Sequence, residues 1–268
     1  MTLEKGGVEQ PGWPIYVISL ARATERRARC RAAMEQLGLG FEFFDAVEGA
    51  RLTGDEIARV YDGTRNQRVY KHPLTAPEMG CTLSHVALWR RIAAGEAGGA
   101  FILEDDFEAV PELAELMRAI SAGIQENCMT KLFARRPSRG VEIGALGSGY
   151  KLVMPRHVPG QTVGYAVDRV AAGKLAARAL PMARPIDMEI KHWWQFDVPV
   201  LVVEPSPLSV SPQTGSGIEA ARLKEKQSGL KRVWRNLRYQ AAYNFGVWRN
   251  GSRERAHARR LRESWQGR

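Results

Sequence analysis

The chain has 268 residues, 44% hydrophobic and 25% charged, the balance of a globular protein with room for one large or two small domains. Collagen-like, low-complexity and mostly disordered chains are excluded, and no run approaches the roughly 20 apolar residues of a membrane-spanning helix. The net charge of +10 is confined: residues 218–268 hold 14 Lys and Arg against four Glu, whereas residues 1–217 are neutral.

Residues 15–20 (IYVISL) follow Pro14 and read as a buried strand. Thr24 suits the cap of a helix that stripes Cys30, Met34 and Leu37 and stops at Gly38. Residues 41–44 then read as a second strand, a strand–helix–strand start that predicts a βαβ unit and a mostly parallel sheet. Thr75-Ala-Pro-Glu78 is a capping-box pattern opening a helix toward Ala94. Residues 100–103 form another apolar strand, ending in Glu104-Asp105-Asp106. A helix follows Pro111, residues 121–160 are glycine-rich and give no clear period, and residues 162–167, 170–180 and 198–203 read as strand, helix and strand. A Pro/Gly/Ser-rich run at 204–217 separates an α/β domain (residues 14–217) from a basic helical tail (218–268). Residues 1–14 hold no apolar signal-peptide core. Cys30, Cys81 and Cys128 form neither a disulfide framework nor a zinc pattern, so a cytoplasmic protein is expected.

Three consecutive carboxylates after a buried strand repel one another and need partners. At the C-terminal end of a parallel strand they stand where α/β sheets bind ligands. In extended chain residues 104 and 106 project to one side, a pairing that suits Mg²⁺ or Mn²⁺; a solvated loop with Asp106 as a helix cap is the alternative. Asp187 and Glu189, two residues apart behind Pro185, share a face in extended chain and offer a general base, or else a helix cap. His85 sits on the Thr75-capped helix as a ligand, a phosphate contact or a core histidine. Arg26 and Arg27 reach a phosphate placed over the sheet, or lie on the surface. No P-loop, GxGxxG or GxSxG is present.

Several ordered blocks resemble glycosyltransferase family 25, the lipooligosaccharide galactosyltransferase-like family. They are residues 15–20 with Glu25-Arg26-Arg27, Phe44-Asp45-Ala46-Val47-Glu48-Gly49, residues 74–85 (LTAPEMGCTLSH, the most specific), Leu103-Glu104-Asp105-Asp106, Gly164-Tyr165, Pro185-Ile-Asp187, and Gln213 with Ser216. Ser19 and Asp168 depart from the family pattern, and residues 121–160 align poorly. The resemblance covers about residues 14–218. It implies a GT-A-like, Rossmann-type domain using a UDP-sugar, with Mn²⁺ or Mg²⁺ held by Glu104, Asp105 and Asp106. It further implies an inverting transfer of a hexose, with galactose expected, to a cell-envelope glycan or glycolipid of a bacterium, such as lipopolysaccharide. Asp187, with Glu189 second, would then be the base, and Arg26, Arg27, Asp45, Glu78 and His85 would be substrate contacts.

In the tail, Leu230, Trp234, Leu237, Ala241, Phe245 and Trp248 form one helical stripe beside Lys231, Arg235 and Arg238. A basic amphipathic helix with tryptophans suits an anionic membrane surface, making the protein peripheral on the cytoplasmic face of the inner membrane. Docking on the body is the alternative, and residues 253–268 read as a solvated, fraying end. Nucleic acid is not an expected partner, because the body is neutral and carries both acidic clusters. The rival functions are nucleic-acid binding through the tail, which salt-dependent binding would reveal, and a metal-dependent phosphohydrolase, which acceptor-independent phosphate release would reveal.

Overall fold

The structure is a computed structural model describing residues 10–124, 127–211 and 230–267. Gln213, Ser216 and the domain boundary at Gly217 lie outside the described residues, as do the side chains of Leu230 and Lys231.

The opening unit is as expected: strand β1 (Ile15–Ser19), helix α1 (Thr24–Gln36) and strand β2 (Glu42–Asp45), with β1 and β2 parallel. Thr24 is already inside α1; Ala23 occupies the cap position and gives no side-chain hydrogen bond. Two short helices, α2 (Gly54–Val60) and α3 (Gly63–Val69), lead to α4 (Ala76–Ala94). There Thr75 and Glu78 complete the capping box reciprocally. Strand β3 (Gly99–Glu104) pairs parallel to β1 on its other side. A short strand β4 (Phe107–Ala109) and helix α5 (Leu113–Gly123) follow.

The stretch without a clear period folds as strands β5 (Met129–Lys131), β6 (Gly140–Gly147) and β7 (Tyr150–Pro155). Strand β8 (Gly164–Asp168), helix α6 (Arg169–Arg178), two helical turns α7 (Ile186–Ile190) and α8 (Trp193–Phe196), strand β9 (Val200–Glu204) and strand β10 (Leu208–Val210) complete the body. The eight-stranded sheet has the order β2-β1-β3-β8-β5-β9-β7-β6. Six strands share one direction; β7 and β8 run against it, which makes the mostly parallel sheet mixed.

Side chains alternate across β3: Phe101 and Leu103 face one core layer with α1 and α5, whereas Ala100 and Ile102 face a second layer with α4 and α6. Helices on both faces and strands buried on both sides are the α/β, Rossmann-type arrangement.

The described tail is two helices, α9 (Leu230–Arg249) and α10 (Gly251–Gln266). The apolar stripe read from the sequence is not the face that packs. Tyr239, Tyr243 and Val247 are buried against the body, whereas Trp234 (72% exposed), Leu237, Phe245 and Trp248 (71%) point away. Residues 253–267 are helical and docked rather than frayed through Gln266: Ala258 and Leu261 enter the core, Trp265 packs against it, and Arg253 pairs with Asp197 at 2.6 Å. An arginine-rich segment looks solvated when read locally. Ala258, Leu261 and Trp265 nevertheless fall on one face of α10.

Candidate active site

Strand β3 delivers Glu104 to the C-terminal edge of the parallel strands, beside β1, and the chain then turns through Asp105 and Asp106. The three carboxylates and residues from β1, α4 and the turn after β2 wall a cleft of about 210 Å³. The wall depends on two glycines. A Cβ on Gly80 of α4 would stand 2.5 Å from the Val47 carbonyl oxygen and 2.6 Å from the Gly49 nitrogen. Helix and loop therefore meet backbone to backbone. Ser84 locks the same contact, accepting from Val47 N at 2.8 Å and donating to Gly80 O at 2.8 Å.

The three carboxylates have different surroundings. Asp105 turns inward, accepting from Ser19 Oγ at 2.6 Å and Arg26 Nη1 at 2.9 Å. Glu104 accepts from Thr162 Oγ1 and lies 3.5 Å from His85 Nε2. Burial raises the Glu104 carboxyl, but contacts with His85 and Thr162 and the charge of Lys131 outweigh it, so Glu104 lies below the usual glutamate range. Asp106 has a buried Oδ1 with no hydrogen-bond partner. Burial first, then the charges of Glu104 and Asp105, push its carboxyl up to about 6. A buried carboxylate oxygen with no donor, next to a second carboxylate, fits a hard divalent cation. A softer donor set shares Glu104: Cys81, His85 and Glu104 each offer one ligand atom, all within 4.8 Å of one another.

His85 is fully buried at the cleft floor. The Tyr165 hydroxyl lies 2.9 Å from Trp89 Nε1 and 2.7 Å from His85 Nδ1. Trp89 can only donate, so Tyr165 accepts from it, while His85 Nε2, which makes no hydrogen bond, lies 3.5 Å from Glu104. On the opposite side, residues 159–161 are clamped by Lys131, whose ammonium donates to the carbonyls of Pro159 (2.7 Å), Gly160 (2.9 Å) and Gln161. Burial lowers the Lys131 ammonium to about 7. The clamped segment presents Gln161 N–H to Asp187 Oδ2 at 3.2 Å, and Thr162, the next residue, holds Glu104.

Not every residue singled out in the sequence reaches the cleft in the role expected. Arg26, Glu104, Asp105, Asp106 and His85 line it. Arg27 instead donates to Ser19 O at 2.9 Å and pairs with exposed Asp45, its guanidinium lying over Phe43. Glu78 is buried, and its Oε2 completes the capping box, as a helix start demands. Asp187 and Glu189 do not share a face, because α7 is helical where extended chain was expected. Glu189 is buried with Arg184 at 2.8 Å and Arg65 at 3.6 Å, while Asp187 faces residues 160–161. Lys131 and Thr162 are not singled out by the sequence, and Tyr165 enters it only within a family-like block, as their partners come from distant strands and loops.

Residues 13–138 match the family model described as glycosyltransferase family 25 (LPS biosynthesis protein). Over this segment, just under half of the chain, the protein is similar to glycosyltransferase family 25. A glycosyltransferase 25 family member of Aedes aegypti is 36% identical over 102 residues, covering 36% of this chain and 16% of the relative. Procollagen galactosyltransferase 1-B of Xenopus laevis is 32% identical over 97 residues, 34% of this chain and 16% of the relative. The mouse protein named inactive glycosyltransferase 25 family member 3 aligns over 76% of this chain and 37% of its own length, at 25% identity. The chain thus spans less than a fifth of the first two relatives' length and well under half of the third. These relatives, all animal proteins, thus include one named as a galactosyltransferase and one named as inactive.

Proposed function

We propose that this chain is a family 25 hexosyltransferase that moves a hexose, galactose by family resemblance, from a UDP-sugar to a hydroxyl of a cell-envelope glycan or glycolipid. The observation that carries the reading is the unpartnered, buried Asp106 Oδ1 beside Glu104 at the strand end. Those two residues would hold Mn²⁺ or Mg²⁺, which when bound supplies charge to neutralise the diphosphate of the leaving UDP. Asp105, held by Ser19 and Arg26, positions the turn between them.

Inversion requires one base on the face of the sugar opposite the leaving group and no covalent intermediate. Asp187 fits: Gln161 N–H occupies its Oδ2, and Oδ1 takes the proton of the acceptor hydroxyl as that oxygen bonds to the anomeric carbon and the bond to UDP breaks. Lys131 acts as a positioning residue by fixing the segment that orients Asp187. Glu189, already neutralised by Arg184, is left out of the chemistry.

A cytoplasmic chain working on a lipid-linked acceptor needs membrane contact, and no described helix is long and apolar enough to cross a membrane. The outward face of α9 supports a peripheral contact: Trp234, Leu237, Phe245 and Trp248 are exposed together on a helix that carries five basic residues and no acidic one. Its opposite face is held by the body, so the helix is presented rather than free.

Equilibrium binding of UDP to the full chain, by calorimetry with and without Mn²⁺, tests the donor half of the reading. Binding that requires the cation and is lost in Asp106→Asn is expected. UDP that binds equally well in chelator, or not at all, would overturn it.

A further inference from the structure

A second cavity, of about 510 Å³, opens on the far side of residues 159–161. It is lined by Arg135, Arg136 and Arg139 from the segment after β5, and by His157, Gly160 and Gln161 from the segment before β8. Among the described residues no carboxylate lines it. None of the three arginines has an acidic partner among the described residues, and the nearby carboxylate of Glu204 already accepts from Ser138 N. Three exposed arginines without counter-charges around one concavity make a receptor for a multiply charged oxyanion. The cavity is also placed with respect to the chemistry. Gly160 and Gln161 form its wall, and Gln161 N–H is the group that holds Asp187. His157 packs against Tyr243 of α9, at 5.9 Å between ring centres, so the cavity lies beside the helix with the exposed tryptophan face.

We infer that this cavity binds a phosphoryl group of the acceptor, so that the acceptor is a phosphate-bearing glycan or glycolipid whose hydroxyl is delivered to Asp187. The assignment of the anion to the acceptor rests on the transferase reading; the anion site itself does not.

The test uses the full chain in chelator, where the cation site cannot contribute, and titrates inorganic pyrophosphate at low salt. The triple substitution Arg135→Gln, Arg136→Gln, Arg139→Gln should weaken binding by at least about a hundredfold, while Arg→Lys at the same positions keeps charge but loses the paired hydrogen bonds and should fall between. UDP binding in Mn²⁺ and the melting temperature serve as folding controls, and the single Arg136→Gln variant replaces the triple one if those controls fail. Vesicles containing phosphatidic acid, set against neutral vesicles, distinguish the source. Competition with pyrophosphate assigns a lipid-borne phosphate, and its absence assigns a soluble or glycan-borne one. Parent protein that does not bind pyrophosphate, or a folded triple variant that binds it as tightly as the parent, would overturn the proposal. Loss of transferase activity with pyrophosphate binding intact would sink the transferase reading and leave the anion site standing.

Discussion

Asp106→Asn separates the cost of the cation site from its use. The Asp106 carboxyl is displaced from 3.8 to about 6 by burial and by the charges of Glu104 and Asp105. At about 1.36 kcal/mol per pH unit, keeping it ionised costs the folded state up to about 3 kcal/mol, or about 2 kcal/mol allowing for the solvent that reaches it. The sign follows from linkage. The folded protein holds this proton more tightly than the unfolded chain, so stability falls as pH rises from about 4 to about 6, and the penalty is fully present above that. Asparagine keeps the shape and removes the charge. In chelator at about pH 8 the variant should therefore be more stable than the parent by about 2 kcal/mol, and the gap should close toward about pH 4, where the parent is protonated. Guanidinium unfolding at both pH values measures this. Adding Mn²⁺ should favour the parent, because a ligand that binds only the folded state stabilises it, and turnover of UDP-sugar by the variant should fall at least about a hundredfold. A variant less stable than the parent at the higher pH in chelator, or a gain that ignores pH, would refute the reasoning.

Asp187→Asn should depress transfer by about a hundredfold or more with UDP affinity nearly unchanged, as removal of a base acting on the acceptor requires; collapse of UDP affinity would make Asp187 a donor or cation ligand instead. Glu189→Gln breaks a buried pair with Arg184 and should appear as lost stability, about 3 kcal/mol by chemical unfolding, before any selective loss of turnover. Trp234→Ala with Trp248→Ala should weaken sedimentation with anionic liposomes while leaving the melting temperature nearly unchanged, since both rings are exposed; added salt should weaken sedimentation of the parent too. Gly80→Ala should cost about 2–3 kcal/mol or more, because its Cβ meets the backbone at Val47 and Gly49 rather than a side chain that can move.

The residues that were legible in sequence are those whose role is local. The capping box at Thr75 and Glu78 and the apolar strand before Glu104 follow from short-range chemistry, and both are where the pattern puts them. The same locality accounts for Glu78, whose Oε2 serves the cap that the pattern predicts. Residues 121–160 were illegible because β6 lies at the sheet edge, where glycines and register shifts break the alternation, and because β5 is only three residues long. Asp187 and Glu189, which share a face in extended chain, are turned to different sides by five helical residues. On α9 two apolar faces compete. The Trp face is the more prominent in sequence, whereas the Tyr face finds aromatic partners on the body, Tyr70 and Trp194 among them. That choice depends on the partner surface, which no stripe encodes.

The most direct test of the central claim is a donor panel: UDP-galactose, UDP-glucose and their N-acetyl counterparts, each incubated with the full chain and Mn²⁺, with UDP release followed over time. The account predicts release from one donor well above the others, abolished by chelator and by Asp187→Asn, and increased by a phosphate-bearing glycan acceptor. Equal inertness toward every donor in Mn²⁺, with UDP still bound, would contradict it and set this chain with the relatives named as inactive.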